Sequence, residues 1–500
     1  MLAAFAEATA STIFVTGRLD IMGDTHATPD ELAWLDVNYI AAKIVGLFLA
    51  PWMMSRLGGT FIIRASVGLL TLTCGLAALT DETNLLAMLR GLQGFAGGVF
   101  LVSAQTALFQ VFAKTSQPLV QALFAIGAVV APAALLPLSS GWTIDTLSWV
   151  WIYLTATALG LAALLLIASA GAVETKTEGD SLNIIGIALL VITAFATTFS
   201  LNQGNRWNWL DEQRVIVLST AGAIAAMAFI VIQLGNGRKR LIHPGVFRSQ
   251  DFTFAFGLTF VAGFALTGSS YLIPAFAISV LGVTPTEAGW LLLPSGLVFI
   301  AALITVALCL TARLFPPLTT APFGVLCFMT AMWLLSTSTL ETGADQMEPA
   351  LMLRGLGLGL LFLSLTLIAL GGLPRELLAH GVALFNFCRL FGGQIGTASL
   401  QTFIDHSTMQ NIAVLAANIP TGDPLVLSRL MQISATLIER GIDPAATSRA
   451  ASTLLGRQVS AQAGTIAFND AFLAIALLFI AAAPLVLIFR SMVAWLSPKP

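Results

Sequence analysis

An all-α polytopic membrane protein, two six-helix bundles with two extra helices between them, is the fold class this sequence predicts. Three observations carry that expectation. The 500 residues are 57% hydrophobic and only 10% charged, with a mean hydropathy of +0.89, where soluble domains carry roughly 25% charged residues. Apolar runs recur from end to end, each of about 20 residues, the length a helix rising ~1.5 Å per residue needs to cross a ~30 Å hydrocarbon layer. An internal echo ties the first half to the second: "MLRGLQGFAGGVFL" (88–101) returns as "MLRGLGLGLLFLSL" (352–365), and "ALF" at 122–124 returns at 383–385 in the same order. Repeats of this kind are how many transporters build two parallel halves. The alternating ten-residue segments of a membrane barrel are missing, so helices are left to satisfy the backbone in lipid.

Fourteen runs follow in order. The first, near 1–19, lacks a basic start and is interrupted by Glu7, so it reads as a retained helix and not as a signal peptide. Runs near 32–54, 61–80, 85–111, 118–140 and 147–170 complete a six-helix bundle over residues 1–170. The segment 171–245 holds two further runs, 182–202 and 215–234, and a basic loop, "RKRLIHPGVFR" (238–248). The second bundle occupies 246–500, with runs near 252–281, 287–312, 319–339, 347–370, 380–403 and 467–494, and with residues 404–466 forming a long outer loop that contains helical-looking segments such as "DPLVLSRLMQISATLIERG" (423–441). With the N-terminus inside, inner loops and the C-terminal tail collect twelve Lys and Arg residues against three (Arg18, Arg206, Arg214) in short outer loops. That bias predicts both termini in the cytoplasm and the 404–466 segment in the periplasm.

Several chemistries are excluded. The four cysteines lie inside apolar runs and form no disulfide framework. The four histidines have no Cys or carboxylate at metal-ligand spacing, so no metal is expected. No phosphate-cradling loop or nucleophile motif is present. The chain therefore reads as a non-enzyme without cofactor or nucleic-acid partner, whose energy source is an ion gradient or none.

At this point the sequence resembles the major facilitator superfamily, and within it the fourteen-helix drug:proton antiporters. "RGLQGFAGG" (90–98), including Gly94, is similar to that family's fourth-helix motif. "SRLGG" (55–59), with Arg56 and Gly58, resembles a reduced form of its cytoplasmic signature, and Pro132 stands where the fifth-helix motif has its proline, flanked here by alanine and leucine and not glycine. "ALFNFCRLFGGQIGTASLQTF" (383–403) and "AFNDAFLAIALLF" (467–479) are similar to the last two helices. The family often has an acid one turn after Glu7, where this chain has Ala10. The resemblance implies multidrug efflux across the inner membrane by proton exchange, with lipid, protons and a small amphipathic organic molecule as partners.

The deep charges carry the site expectation, because a charge at mid-membrane costs at least ~2.5–3.5 kcal/mol and is usually paired or faces a wet cleft. Counting along the helices puts Glu7 and Lys43 at the same depth, about 18 and 17 Å below the outer surface. Asp36 and Lys43, seven residues apart, share a helical face, and the long Arg90 side chain reaches inward toward them. Glu7 is thus the expected proton carrier, with Lys43, Arg90 and Asp36 around it. Arg354 and Arg389 read as weaker candidates whose side chains can snorkel to a helix end. Asn38, Tyr39, Gln93, Gln105, Tyr271, Asn386 and Arg389 are the expected polar groups of a mostly apolar substrate cavity. The 404–466 segment has two open roles, a structural cap and a contact for a periplasmic adaptor protein. Two other functions stay open: a transporter of a small metabolite, proton-coupled or uncoupled, and a transport-dead sensor or assembly protein.

Overall fold

A computed structural model describes residues 1–168, 183–235, 240–418, 423–441 and 443–496. Part of the basic loop, Arg238 and Lys239, lies outside the described residues, as does the stretch 169–182. The first bundle consists of α1 (Leu2–Thr16), α2 (Arg18–Asp24), α3 (Pro29–Leu57), α4 (Gly59–Ala77), α5 (Thr83–Val111), α6 (Gln117–Ala125), a π-helical stretch (Ile126–Leu135), α7 (Leu136–Thr146) and α8 (Val150–Ala168). Next come α9 (Ile184–Gln203) and α10 (Gln213–Leu234), the expected extra pair. The second bundle holds α11 (Gln250–Ser279), α12 (Pro285–Thr311), α13 (Pro317–Leu335), α14 (Ala344–Leu370), α15 (Arg375–Ala417), α16 (Pro424–Glu439) and α17 (Pro444–Leu496).

Among the described residues, twelve spans are long and apolar enough to cross a membrane, with α6, the π stretch and α7 counting as one. Two predicted runs fall outside that twelve. They are α1, which is short, and α15, whose 43 residues include many polar ones. Both pack within the bundles, α1 against α8 and the π stretch, α15 against α11 and α17.

Helix starts are set by local chemistry. Thr28 and Glu31 form a reciprocal capping box at α3, with Pro29 in the first turn, and Thr284, Glu287 and Pro285 repeat the device at α12. Gly58 ends α3 at φ +88°, a left-handed position suited to glycine, and turns the chain straight into α4.

Glycines set how closely helices approach. A Cβ at Gly94 or Gly98 of α5 would run into the Tyr39 or Lys43 carbonyl of α3, and one at Gly46 of α3 into Phe95 of α5. This is small-residue packing at i and i+4, which brings two backbones into contact in a bilayer. In the second bundle Gly355 and Gly359 of α14 do the same against α12.

The bundles meet along two seams. One joins α15 to α3 and α5, and the other joins α12 to α6, the π stretch and α7. They touch at both ends of the molecule: Thr286 bonds Asp145 at the Asp30 end, and Asn386 Nδ2 donates to Gln105 Oε1 (2.8 Å) nearer the Arg56 end. The extra pair packs on α3 through Trp34–Phe199 and Phe48–Phe229 ring contacts, centroids 5.1 and 5.9 Å apart.

The expected outer loop at 404–466 is helical over most of its described residues, with breaks only at Asn418, Asp423, Arg440–Gly441 and Asp443. α15 continues unbroken to Ala417, and α17 begins at Pro444. At ~1.5 Å per residue, 43 and 53 residues give helices far longer than a bilayer is thick, so both project beyond it.

Candidate functional site

The deepest charge cluster forms where α1, α3 and α5 meet. Glu7 is 1% exposed. Its Oε1 accepts from Lys43 Nζ (2.5 Å) and from Tyr39 Oη (2.7 Å), so the equal depth counted from sequence becomes a direct ion pair. Tyr39 and Lys43 stand one turn apart on α3, which places both side chains against the same point of α1. Gly97 makes the approach possible, since a Cβ there would sit 3.0 Å from Glu7 Cγ and Oε1. Three α5 glycines therefore serve two neighbours, Gly94 and Gly98 facing α3 and Gly97 facing α1.

Arg90 is fully buried, and it joins this cluster through an aromatic ring. Its guanidinium carbon lies 4.1 Å from the Tyr39 ring centroid and 4.9 Å from that of Phe14, a cation–π arrangement strengthened by desolvation. Arg90 Nη1 donates to the Ala10 carbonyl (2.6 Å) and to Gln93 Oε1 (3.2 Å), and Gln93 Nε2 donates to the Thr73 carbonyl. Asp36 stands 4.0 Å from Arg90 Nη2. Where the resemblance leads one to expect an acid, at Ala10, the arginine meets a backbone oxygen, and the carboxylate sits one turn earlier at Glu7. Arg90 Nε and Nη2 make no hydrogen bond among the described residues, so the guanidinium is held by rings and charge as much as by acceptors.

The second bundle treats its arginine differently. Arg354 is 1% exposed and does not snorkel to a helix end, correcting the sequence expectation. Nε, Nη1 and Nη2 donate to the hydroxyls of Ser269 (2.9 Å), Ser295 (2.9 Å) and Ser270 (2.7 Å). Ser270 in turn donates to the Ala133 carbonyl (3.4 Å) in the π stretch, across the seam. The run with Pro132 inside it adopts π geometry; proline has no N–H for the usual ladder, and its ring displaces the carbonyl one turn back.

The expected cavity residues divide into four places. Tyr39 and Gln93 belong to the charge cluster. Asn38 Nδ2 donates to the Ala87 carbonyl and so stitches α3 to α5 (3.2 Å). Gln105, Asn386 and Arg389 form one row across the α5–α15 seam: Arg389 donates to Asn386 (2.9 Å), Asn386 to Gln105, and Gln105 to Gln121 of α6 (3.4 Å). Tyr271 stands apart, toward the end of the bundle that holds Asp405. Arg56 is exposed at the C-terminal turn of α3. Tyr39 as the donor to Glu7, the Ala10 carbonyl and the three serines were missed. The spacing Asp36, Tyr39, Lys43 on one face and the polar "GSSY" (268–271) inside an apolar run were the available signals. Among the described residues no cluster of His, Cys, Asp and Glu is fit to hold a metal.

Residues 1–397 match the profile of the family described as Major Facilitator Superfamily. The chain is 24% identical over 464 residues to the "Colistin resistance protein EmrB" of Acinetobacter baumannii, covering 90% of this chain and 87% of that protein. It is also 24% identical over 474 residues to the "Multidrug export protein EmrB" of Escherichia coli K12, covering 94% and 90%. The crystal structure of the human organic anion transporter MFSD10 (TETRAN) shares the fold at a TM-score of 0.56, over 95% of this chain and 97% of that one, with 10% identity. A profile match across most of its length and paired helical bundles agree: the chain is a multi-pass membrane protein that belongs to the Major Facilitator Superfamily.

Proposed function

We propose that this protein exports amphipathic organic molecules across the inner membrane in exchange for protons, by alternating access between its two bundles, with Glu7 as the proton site. The observation that carries this reading is a sealed carboxylate bonded to Lys43 and Tyr39. Ionised, Glu7 accepts both bonds; protonated, it becomes neutral and turns into a donor. Lys43 then loses its counter-charge, and an unpaired ammonium in a dry interior is costly. Protonation therefore favours the arrangement in which Lys43 reaches water. Proton and cargo act on one conformational equilibrium without touching each other.

Relatives named for multidrug export and colistin resistance support an amphipathic cargo. So does the seam, where Phe387 meets Phe48 edge-on and stacks on Phe391. Family and fold point to transport and not to catalysis. The topology proposed with this function has fourteen passes and both termini in the cytoplasm. The projecting parts of α15 and α17, with α16, then lie in the periplasm, where exposed Met409, Leu425 and Met431 suit an adaptor protein.

The test uses inverted vesicles. An imposed pH gradient is expected to drive uptake of a fluorescent amphiphile by the wild type and not by Glu7→Gln. Undiminished exchange by well-folded Glu7→Gln protein overturns the assignment.

A further inference from the structure

We propose that the cargo is an anion: an amphipathic molecule with one acidic headgroup, received by the row Arg389–Asn386–Gln105–Gln121 at the seam between α15, α5 and α6. This deepens the export reading and rests on it for the claim that the occupant is exported.

Charge is the first observation. The deep charged residues are Lys43, Arg90, Arg354 and Arg389 against Glu7 and Asp36. Glu7 answers Lys43, and Asp36 stands beside Arg90. Arg354 and Arg389 have no carboxylate within ion-pair distance among the described residues. Serine hydroxyls solvate Arg354 without neutralising it, and Asn386 does the same for Arg389. Charges buried in a membrane protein are ordinarily paired or lead to a substrate path, so the interior carries a positive excess that a bound anion would cancel.

Donor accounting is the second, independent observation. Along the row each carbonyl oxygen already accepts one bond from its neighbour: Asn386 Oδ1 from Arg389, Gln105 Oε1 from Asn386, Gln121 Oε1 from Gln105. What is left over is donors. Gln121 Nε2 is buried with no partner, and Arg389, half-buried at mid-helix, uses its guanidinium for one hydrogen bond among the described residues. A site whose unpartnered group is a donor and which holds a cation fits a carboxylate or sulfonate better than an ammonium.

Position is the third. Gln121 is four residues into α6 and Gln105 six from the end of α5, both near the Arg56 end. Asn386 and Arg389 are eleven and fourteen residues into α15, about 16 and 21 Å along it. The row therefore leads from that end toward mid-bundle. The stacked rings of Phe387 and Phe391, 5.4 Å apart on the same helix, offer an apolar wall beside it.

The test is binding to purified protein in phosphatidylcholine nanodiscs, with decanesulfonate and decyltrimethylammonium as a pair of equal chain and opposite permanent charge. Radiolabelled decanesulfonate is expected to bind saturably and to be displaced by its unlabelled form but not by the ammonium. Arg389→Gln is expected to weaken it about tenfold or more, Arg389→Lys less, and Gln121→Leu, which removes only the orphan donor, by a smaller factor. Binding of the ammonium in preference, of neither probe, or of the sulfonate equally well to wild type and Arg389→Gln overturns the proposal. Loss of the probe when half the lipid is phosphatidylglycerol overturns it in favour of a resident lipid headgroup. Sulfonate binding without proton-driven exchange leaves this inference standing and removes the proton-coupled reading instead.

Discussion

Arg90 and Arg354 occupy the same "MLRGL" in the two halves, yet one sits in an ionic, aromatic pocket and the other in a socket of three hydroxyls. Arg90 is four and eight residues before the glycines that press α5 onto α3, so it shares their face and meets Asp36 and Tyr39 of that helix. Arg354 directly precedes Gly355, about 100° around the helix from the contact face, and so reaches α11 as well as α12. The repeated motif sets where a cation lies in each bundle. The register of the neighbouring glycines decides what that cation meets: a carboxylate and a ring in the first half, hydroxyls in the second.

Removing the acid is the largest test of that asymmetry. Glu7→Gln is expected to lose proton-driven exchange entirely, whereas Ser269→Ala, which leaves Arg354 two of its three hydroxyls, is expected to keep it, both read in inverted vesicles. Equal losses would mean that the halves share the proton task.

The packing comparison comes next. Gly94→Ala and Gly355→Ala each drive a methyl into a backbone carbonyl of the facing helix, and each is expected to cost toward the upper end of the ~1–3 kcal/mol typical of overpacking. Gly91→Ala, whose Cβ meets nothing nearer than 4.0 Å, is expected to be neutral. Thermal unfolding in detergent reads all three. A tolerant Gly355→Ala beside a damaging Gly94→Ala would show that only the first bundle depends on backbone contact.

Much of this was legible in the sequence, for identifiable reasons. The Glu7–Lys43 pair followed from depth alone, because rise per residue is constant whatever the packing. Rotation about each helix axis is not encoded in a depth count, so the sequence points Tyr39 to the cavity and gives no sign of the Ala10 carbonyl. The capping boxes offered a third echo, "TPDELAWL" (28–35) against "TPTEAGWL" (284–291), which went unread. The helical continuation of α15 was also readable: no glycine or proline occurs between Gly396 and Pro420, and polarity alone suggested a loop. The π stretch is harder, since proline inside an apolar run marks a disturbance of the ladder without naming its form.

Hydrogen bonds to charge give an intermediate effect. Tyr39→Phe removes the donor to Glu7 but keeps the ring under Arg90, and Ser295→Ala removes one hydroxyl from Arg354. Each is expected to cost about 1.5–3 kcal/mol by the same unfolding measurement, as for other bonds to ionised groups. A clearly smaller cost for Ser295→Ala would mark the serine socket as the looser of the two.

The smallest effect is expected where the extra helices meet the first bundle. Arg206 bonds Asp30 at 2.6 Å, with side chains 41% and 56% exposed. Exposed pairs of this kind contribute roughly 0–1 kcal/mol, since water screens the attraction and both side chains lose freedom. Asp30→Asn is therefore expected to leave unfolding nearly unchanged. Docking of α9 and α10 on α3 then depends on Trp34 against Phe199 and Phe48 against Phe229, and Phe48→Ala should cost several times more, with losses of ~3–5 kcal/mol typical for a buried ring. Should Asp30→Asn prove the more damaging of the two, the inserted pair would be held by charge at its end and not by rings along its length.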